Sequence, residues 1–135
     1  MARILLVDDE ELLRETLREF LEREGHDVSE ASDVPTAIQH CDEADLELLI
    51  TDLVMPGQDG IEIIRHIKRQ GKNTKILAIS GRGGNSINAN LTRALSFGAD
   101  AGMHKPFSRD DLIGKVDELL GGEQADSPAS PASSV

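Results

Sequence analysis

Apolar residues recur along the chain in two alternating rhythms. The short run Arg3–Val7 (RILLV) shows no alternation and predicts a strand buried on both faces, while Leu46–Thr51 (LELLIT) and Lys75–Ile79 (KILAI) read as the third and fourth strands. Asp27–Ala31 reads as a less apolar strand nearer an edge, and Ala101–Met103 as a weak fifth. Between these runs the apolar positions return at spacings of three and four. Leu12, Leu13, Thr16, Leu17, Phe20 and Leu21 mark a helix over Glu11–Glu24, stopped at Gly25, with Glu19 and Arg23 paired on its wet face. Val34–Cys41 is a second helix, with Pro35 in its first turn. Ile61, Ile64 and Ile67 mark a third, running to about Arg69. Leu91, Ala94, Leu95 and Phe97 mark a fourth, ended by Gly98, and Leu112, Val116, Leu119 and Leu120 a fifth over Asp111–Leu120. Met55–Gly60 (MPGQDG) and the glycine-rich stretch Ser80–Asn88 read as loops, the second a flexible one. The order is five βα units. Right-handed crossovers then place helices on both faces of an open, doubly wound α/β fold with a parallel five-stranded sheet.

Composition narrows this picture. The 135 residues suit one domain. Residues 1–120 are expected to form it, and Gly121–Val135 (GGEQADSPASPASSV) to be a disordered C-terminal tail. With no tryptophan or tyrosine and three phenylalanines, the core is aliphatic. Fourteen basic side chains against 25 acidic ones, a formal charge of −11, argue against direct binding to nucleic acid or an anionic membrane. No wholly apolar run is longer than Ile4–Val7, which argues against membrane insertion and a signal peptide. The single cysteine, Cys41, excludes an intramolecular disulfide and a CxxC site. Together these features point to the cytoplasm.

Doubly wound folds bind ligands beyond the carboxyl ends of their strands. Asp8, Asp9 and Glu10 end the first predicted strand, Asp52 the third and Ser80 the fourth, while Lys105 and Pro106 follow the fifth. Clustered carboxylates need shared protons or a cation, and oxygen ligands suit Mg²⁺. A lysine and a hydroxyl beside that cation would receive a phosphoryl group, with Asp52 as nucleophile. Each piece alone is weak. An Asp-Asp pair is commonly a cap, and Ser80 could cap the following helix. Gly81-Arg82-Gly83-Gly84 lacks the Gly-Lys-Ser/Thr ending of a nucleotide loop. Val54 stands where a DxD phosphatase of the haloacid dehalogenase class has its second aspartate. The conjunction carries the reading.

The stretches Ile4–Glu10 (ILLVDDE), Asp52–Gly60 (DLVMPGQDG), Gly98-Ala99-Asp100 and Lys105-Pro106-Phe107, in this order, resemble the receiver domain of bacterial two-component response regulators, and its stand-alone CheY-like subset. The resemblance implies a flavodoxin-like (βα)5 fold with strand order 2-1-3-4-5. It implies Asp52 as phosphoacceptor, Asp9 as direct Mg²⁺ ligand, Asp8 as ligand mainly through water, and the Val54 backbone carbonyl as a further ligand. Ser80 resembles the switch hydroxyl and Lys105 the lysine that pairs with the phosphoryl group. The Lys105-Pro106 bond is expected to be cis, with Phe107 packing beneath, and Gly60 to relieve the turn into the third helix. The implied donor is a histidine kinase or a histidine phosphotransfer protein, and the implied output is binding to an unidentified downstream protein. Such a chain catalyses its own Mg²⁺-dependent phosphorylation and dephosphorylation, with no turnover of an external substrate. Two departures stand out. Gly102 occupies the position where the family usually carries an aromatic, and the stretch from Ser80 to Gly98 is longer than usual. Both leave the signal route open, with the Ser80–Asn88 loop and His104 as its nearest carriers. The rival readings are a receiver fragment of a longer regulator or hybrid kinase, a phosphorylation-independent interaction module, and a phosphatase acting on other molecules.

Overall fold

The structure, a computed structural model, describes residues 2–81 and 86–125. Along the chain run β1 (Arg3–Val7), α1 (Glu11–Arg23), β2 (Asp27–Ala31), α2 (Val34–Glu43), β3 (Leu48–Asp52), β4 (Val54–Met55), β5 (Gln58–Asp59), α3 (Ile61–Arg69), β6 (Lys75–Ser80), α4 (Ser86–Phe97), β7 (Ala101–His104) and α5 (Arg109–Ala125). Strands β2-β1-β3-β6-β7 form one parallel sheet in that order. With the short β4–β5 hairpin set aside, this is the expected order 2-1-3-4-5.

Pleating divides the strand residues between two aliphatic layers. Ile4, Leu6, Leu48, Ile50, Leu77 and Ile79 meet Leu17 and Leu21 of α1 and Leu112 and Val116 of α5. Leu5, Val7, Leu49, Ile76 and Ala78 meet Ala37 of α2, Ile64 and Ile67 of α3, and Leu91 and Ala94 of α4. Because helices cover both faces, every residue of β3 is buried, which is why its sequence shows no alternation. Burying each such leucine or isoleucine contributes about 2 kcal/mol.

Local chemistry sets several boundaries. Asp33 caps α2 by accepting from the Thr36 N–H at 2.8 Å, and Pro35 sits in the first turn. Gly25, at φ +92°, ends α1 in a conformation costly for other residues. The Glu19–Arg23 pair is present at 3.8 Å.

Several expectations need correction. The Met55–Gly60 loop holds a two-stranded antiparallel hairpin in which Val54 pairs with Asp59 and Met55 with Gln58. The loop expected to reach Asn88 gives way to α4 at Ser86. The last helix begins two residues early, where Ser108 Oγ accepts from the Asp111 N–H, and continues through Gly121 and Gly122 to Ala125. Gly60 lies at φ −60°, so it relieves no unusual turn conformation. Its role is close approach, since a Cβ there would lie 2.2 Å from the Asp52 carbonyl oxygen. The rest of the expected tail, from residue 126, and residues 82–85 of the expected flexible loop lie outside the described residues.

Candidate active site

Parallel strands bring their carboxyl ends to one edge of the sheet, and the loops leaving β1, β3, β6 and β7 converge there. Asp8 and Asp52 are 1% and 5% exposed, whereas Asp9 is exposed. One carboxylate oxygen from each of Asp8, Asp9 and Asp52 lies within 4.8 Å of the others. Oxygens of that kind and spacing fit a hard divalent cation. Lys105, carried in after β7, donates from Nζ to Asp52 Oδ2 at 3.0 Å, Asp8 Oδ2 at 3.1 Å and Glu10 Oε1 at 3.2 Å. Backbone N–H groups fix the second oxygen of two of these acids. Glu10 N–H donates to Asp8 Oδ1 at 2.9 Å, and Val54 N–H to Asp52 Oδ1 at 3.1 Å.

The electrostatics follow from burial and pairing. Burial raises the Asp8 carboxyl above its ordinary value. The Glu10 N–H and Lys105 oppose this, and the nearby Asp52 charge reinforces it. Burial pulls the Lys105 ammonium down, but hydrogen bonding and attraction from Asp52, and then Asp8, outweigh it, so the net shift is upward. Lys105 is therefore a fixed cation at neutral pH.

Asp9, Glu10, Asp52, Val54, Pro56, Gly81 and Lys105 are among the residues lining a cleft of about 400 Å³ at this edge. A larger hollow of about 820 Å³ opens at the opposite end of the sheet around His26, Glu47, Lys72 and Lys75. Position and chemistry favour the smaller cleft, where the clustered acids meet Lys105.

The remaining sequence-selected residues take definite places. Ser80 ends β6, where its carbonyl accepts from the Lys105 N–H at 2.9 Å. Its Oγ is buried and, among the described residues, the one buried side-chain polar atom without a hydrogen-bond partner. The Lys105-Pro106 bond is cis. Phe107, half-buried, packs against the layer under α1 and α5. Gly102 pairs with Ala78, and a Cβ there would lie 2.9 Å from Leu91 Cδ2. The space that Gly102 gives up is thus filled from α4, and His104 is exposed.

Three neighbours take contacts with the site that the sequence pattern does not specify. Glu10 stands at the N-cap position of α1 without capping it, its carboxylate meeting Lys105 instead. Its place beside the Asp8–Asp9 pair was the available signal. Gly81 lets the Lys105 stem pass, since a Cβ there would lie 2.4 Å from Lys105 Cδ. Arg14 of α1 donates to the Asp8 carbonyl and to Glu30 of β2. No spacing rule links residues on those two elements.

Comparison with known proteins agrees with this geometry. Residues 4–117 match the response regulator receiver domain family. The transcriptional regulatory protein ResD of Bacillus subtilis is 40% identical over 119 residues, covering 88% of this chain and 48% of that protein. The phosphate regulon transcriptional regulatory protein PhoB of Escherichia coli is 32% identical over 120 residues, covering 87% and 51% respectively. The chain thus spans about half the length of these curated relatives. Among solved structures, the receiver domain of the Francisella response regulator 1452 aligns with a TM-score of 0.80 at 26% identity, covering 91% of this chain and 99% of that one. NtrX from Brucella abortus aligns at 0.82 and 29% identity, covering 96% of this chain and 29% of its own. The chain belongs to the response regulator receiver domain family of two-component systems.

Proposed function

We propose that this receiver accepts a phosphoryl group on Asp52 from the phosphohistidine of a histidine kinase or histidine phosphotransfer protein. The observation that carries the proposal is the Asp52–Lys105 contact at 3.0 Å on the wall of an open cleft, with Asp8 and Asp9 beside it. An Asp52 carboxylate oxygen attacks phosphorus. The phosphorus–nitrogen bond breaks, and the imidazole leaves with its electron pair and takes up a proton. The product is an acyl phosphate.

Asp8, Asp9, Asp52 and the Val54 carbonyl would hold Mg²⁺. When bound, the ion neutralises charge on the transferring oxygens. Val54 N–H orients Asp52 by holding Oδ1. Lys105 is held cationic by its acids and pairs with a phosphoryl oxygen once Asp52 is phosphorylated. Ser80 Oγ, buried without a partner, supplies a hydroxyl donor that can turn toward the same phosphoryl group. That exchange shifts the population between two arrangements of the α4–β7–α5 surface. Hydrolysis on Asp52 resets the protein, with no external substrate turned over.

Output runs through a partner protein, since a formal charge of −11 disfavours direct contact with nucleic acid. The chemistry is the same whether the chain acts alone or as the receiver of a longer regulator. Among the described residues no helix is long and apolar enough to cross a membrane.

The test is phosphoryl transfer from a phosphorylated histidine donor to wild type and to Asp52→Asn. Wild type should take up label that hydroxylamine removes, and the variant none. A hydroxylamine-stable adduct, or label mapped to Ser80, defeats the assignment.

A further inference from the structure

The two aspartates follow β1 on the short loop that leads into α1. Asp9 is exposed, and it must still present its carboxylate within 4.8 Å of two buried ones. The peptide group before Asp8 is tied to the sheet, its N–H donating to the Ala31 carbonyl at 3.2 Å. The next peptide group, the one joining Asp8 to Asp9, accepts at its carbonyl from Arg14 Nη1 at 2.7 Å. Arg14 Nε donates at 2.7 Å to Glu30 Oε1 on β2, and Arg18 holds the other oxygen of Glu30. The Arg14 and Glu30 side chains are 15% and 19% exposed, so this tie is largely shielded from water. A planar fork bound at two of its N–H groups fixes direction as well as distance.

We propose that Arg14, anchored by Glu30, is a positioning residue that fixes the Asp8–Asp9 peptide plane and so sets the affinity of the acidic cluster for Mg²⁺. This inference rests on the Mg²⁺-dependent reading above. Rotation of that peptide would swing the Asp9 Cα and carry its carboxylate away from Asp8 and Asp52. Arg14 is an electrostatically unfavourable neighbour for a divalent cation. Glu30 offsets its charge, so geometry is retained without the full repulsion.

That opposition makes the inference testable by sign. Mg²⁺ would be titrated by calorimetry into the full chain as wild type, Arg14→Lys and Arg14→Met, with backbone amide shifts checking that the fold persists. Lysine keeps the charge and loses the fork. Methionine keeps much of the stem and loses both. Each should bind Mg²⁺ about tenfold more weakly, the low end for residues that orient metal ligands. Simple Coulomb repulsion predicts the reverse for Arg14→Met, which removes a cation. Phosphorylation from a small acyl-phosphate donor should return to the wild-type rate when the variants are saturated with Mg²⁺. Glu30→Gln keeps an acceptor for Arg14 and should fall between wild type and Arg14→Lys, which supplies a readout even if Arg14→Met does not fold. Affinity of Arg14→Lys within twofold of wild type, or tighter binding by Arg14→Met, overturns the inference. Absence of Mg²⁺ binding by wild type overturns the Mg²⁺-dependent reading as well.

Discussion

Asp8→Asn should change stability in opposite directions with and without a divalent cation. Asp8 is 1% exposed and shares one ammonium with Asp52 and Glu10. Burial is the largest influence on its carboxyl and raises it, despite the Glu10 N–H and Lys105. An acid raised by folding favours its protonated form in the native state. The associated stability is present below the ordinary value of 3.8 and lost as pH rises through the folded one. Whenever Asp8 is ionised, as it must be to hold a cation, the native state bears the cost of that buried charge. Asparagine is nearly isosteric, and its Oδ1 still accepts from the Glu10 N–H; its amide NH2 replaces the Oδ2 acceptor, so Lys105 is left with Asp52 and Glu10. Removal of the charge should stabilise the metal-free protein by about 0.5–2 kcal/mol, the common range for a single stabilising substitution. Roughly 4 °C per kcal/mol makes this readable as a higher Tm. Mg²⁺ binding to wild type contributes RT ln(1 + [Mg²⁺]/Kd), about 1.4 kcal/mol at ten times Kd and about 2.7 at a hundred times. The variant, missing a ligand, gains little, so the two Tm curves should cross as Mg²⁺ is added. Thermal denaturation in chelator and across a Mg²⁺ series measures both arms. A variant less stable than wild type in chelator would mean that the Lys105 ion pair outweighs burial. An undiminished Mg²⁺ response would remove Asp8 from the ligand set.

Gly60→Ala places a Cβ 2.2 Å from the Asp52 carbonyl oxygen, which is backbone and must move, so it should cost about 1–3 kcal/mol and reduce phosphorylation of Asp52. Gly71→Ala is the control. It meets nothing within 4 Å, so it should cost only about 1 kcal/mol from its φ of +68° and leave phosphorylation intact. Glu30→Gln should be less stable than wild type at neutral pH, and the gap should close on acidification. Burial raises this carboxyl, but hydrogen bonds from Arg18 and Arg14 outweigh it, so its stabilisation holds above the ordinary value of 4.5 and is lost below it. A gap between the two Tm values that widens from pH 7 to pH 3 would contradict this.

The apolar pattern located β1 and β2 at their observed bounds because both are short runs ended by charged or polar residues. It placed β3 two residues early. Leu46 is buried yet precedes the ladder, while Asp52 is polar yet pairs with Ile79. Hydrophobicity reports burial, whereas a strand's ends depend on the length of its neighbours. The β4–β5 hairpin is too short, at two residues a side, to produce a period, and its turn formers hid it. The continuation of α5 through Gly121 and Gly122 runs against glycine's poor helix propensity. Composition alone put the helix end at Leu120 for that reason.

At the site, the residues legible in the sequence were those that the topology had to deliver to one edge. Asp8, Asp52 and Lys105 end or follow parallel strands, so their convergence follows from the fold. What supports them was not legible, because it arrives from other elements. Arg14 reaches the Asp8 carbonyl from the second turn of α1, and Leu91 reaches the surface of Gly102 from α4. The missing side chain at position 102 could be read, but not what would occupy the volume. Coupling between β7 and α4 therefore depends on a leucine carried by the helix, and a signal that moves α4 must also move the cover over Gly102. The unfavourable features collect at the same edge. They are the raised carboxyl of Asp8, the unpartnered buried hydroxyl of Ser80, worth about 1–3 kcal/mol, and the tight passage of Gly60 over Asp52. The two aliphatic layers beneath carry no comparable conflict among the described residues. A core packed that well can hold an acid and a hydroxyl in unfavourable states, the acid poised for a cation and the hydroxyl for an acceptor oxygen of the proposed phosphoryl group.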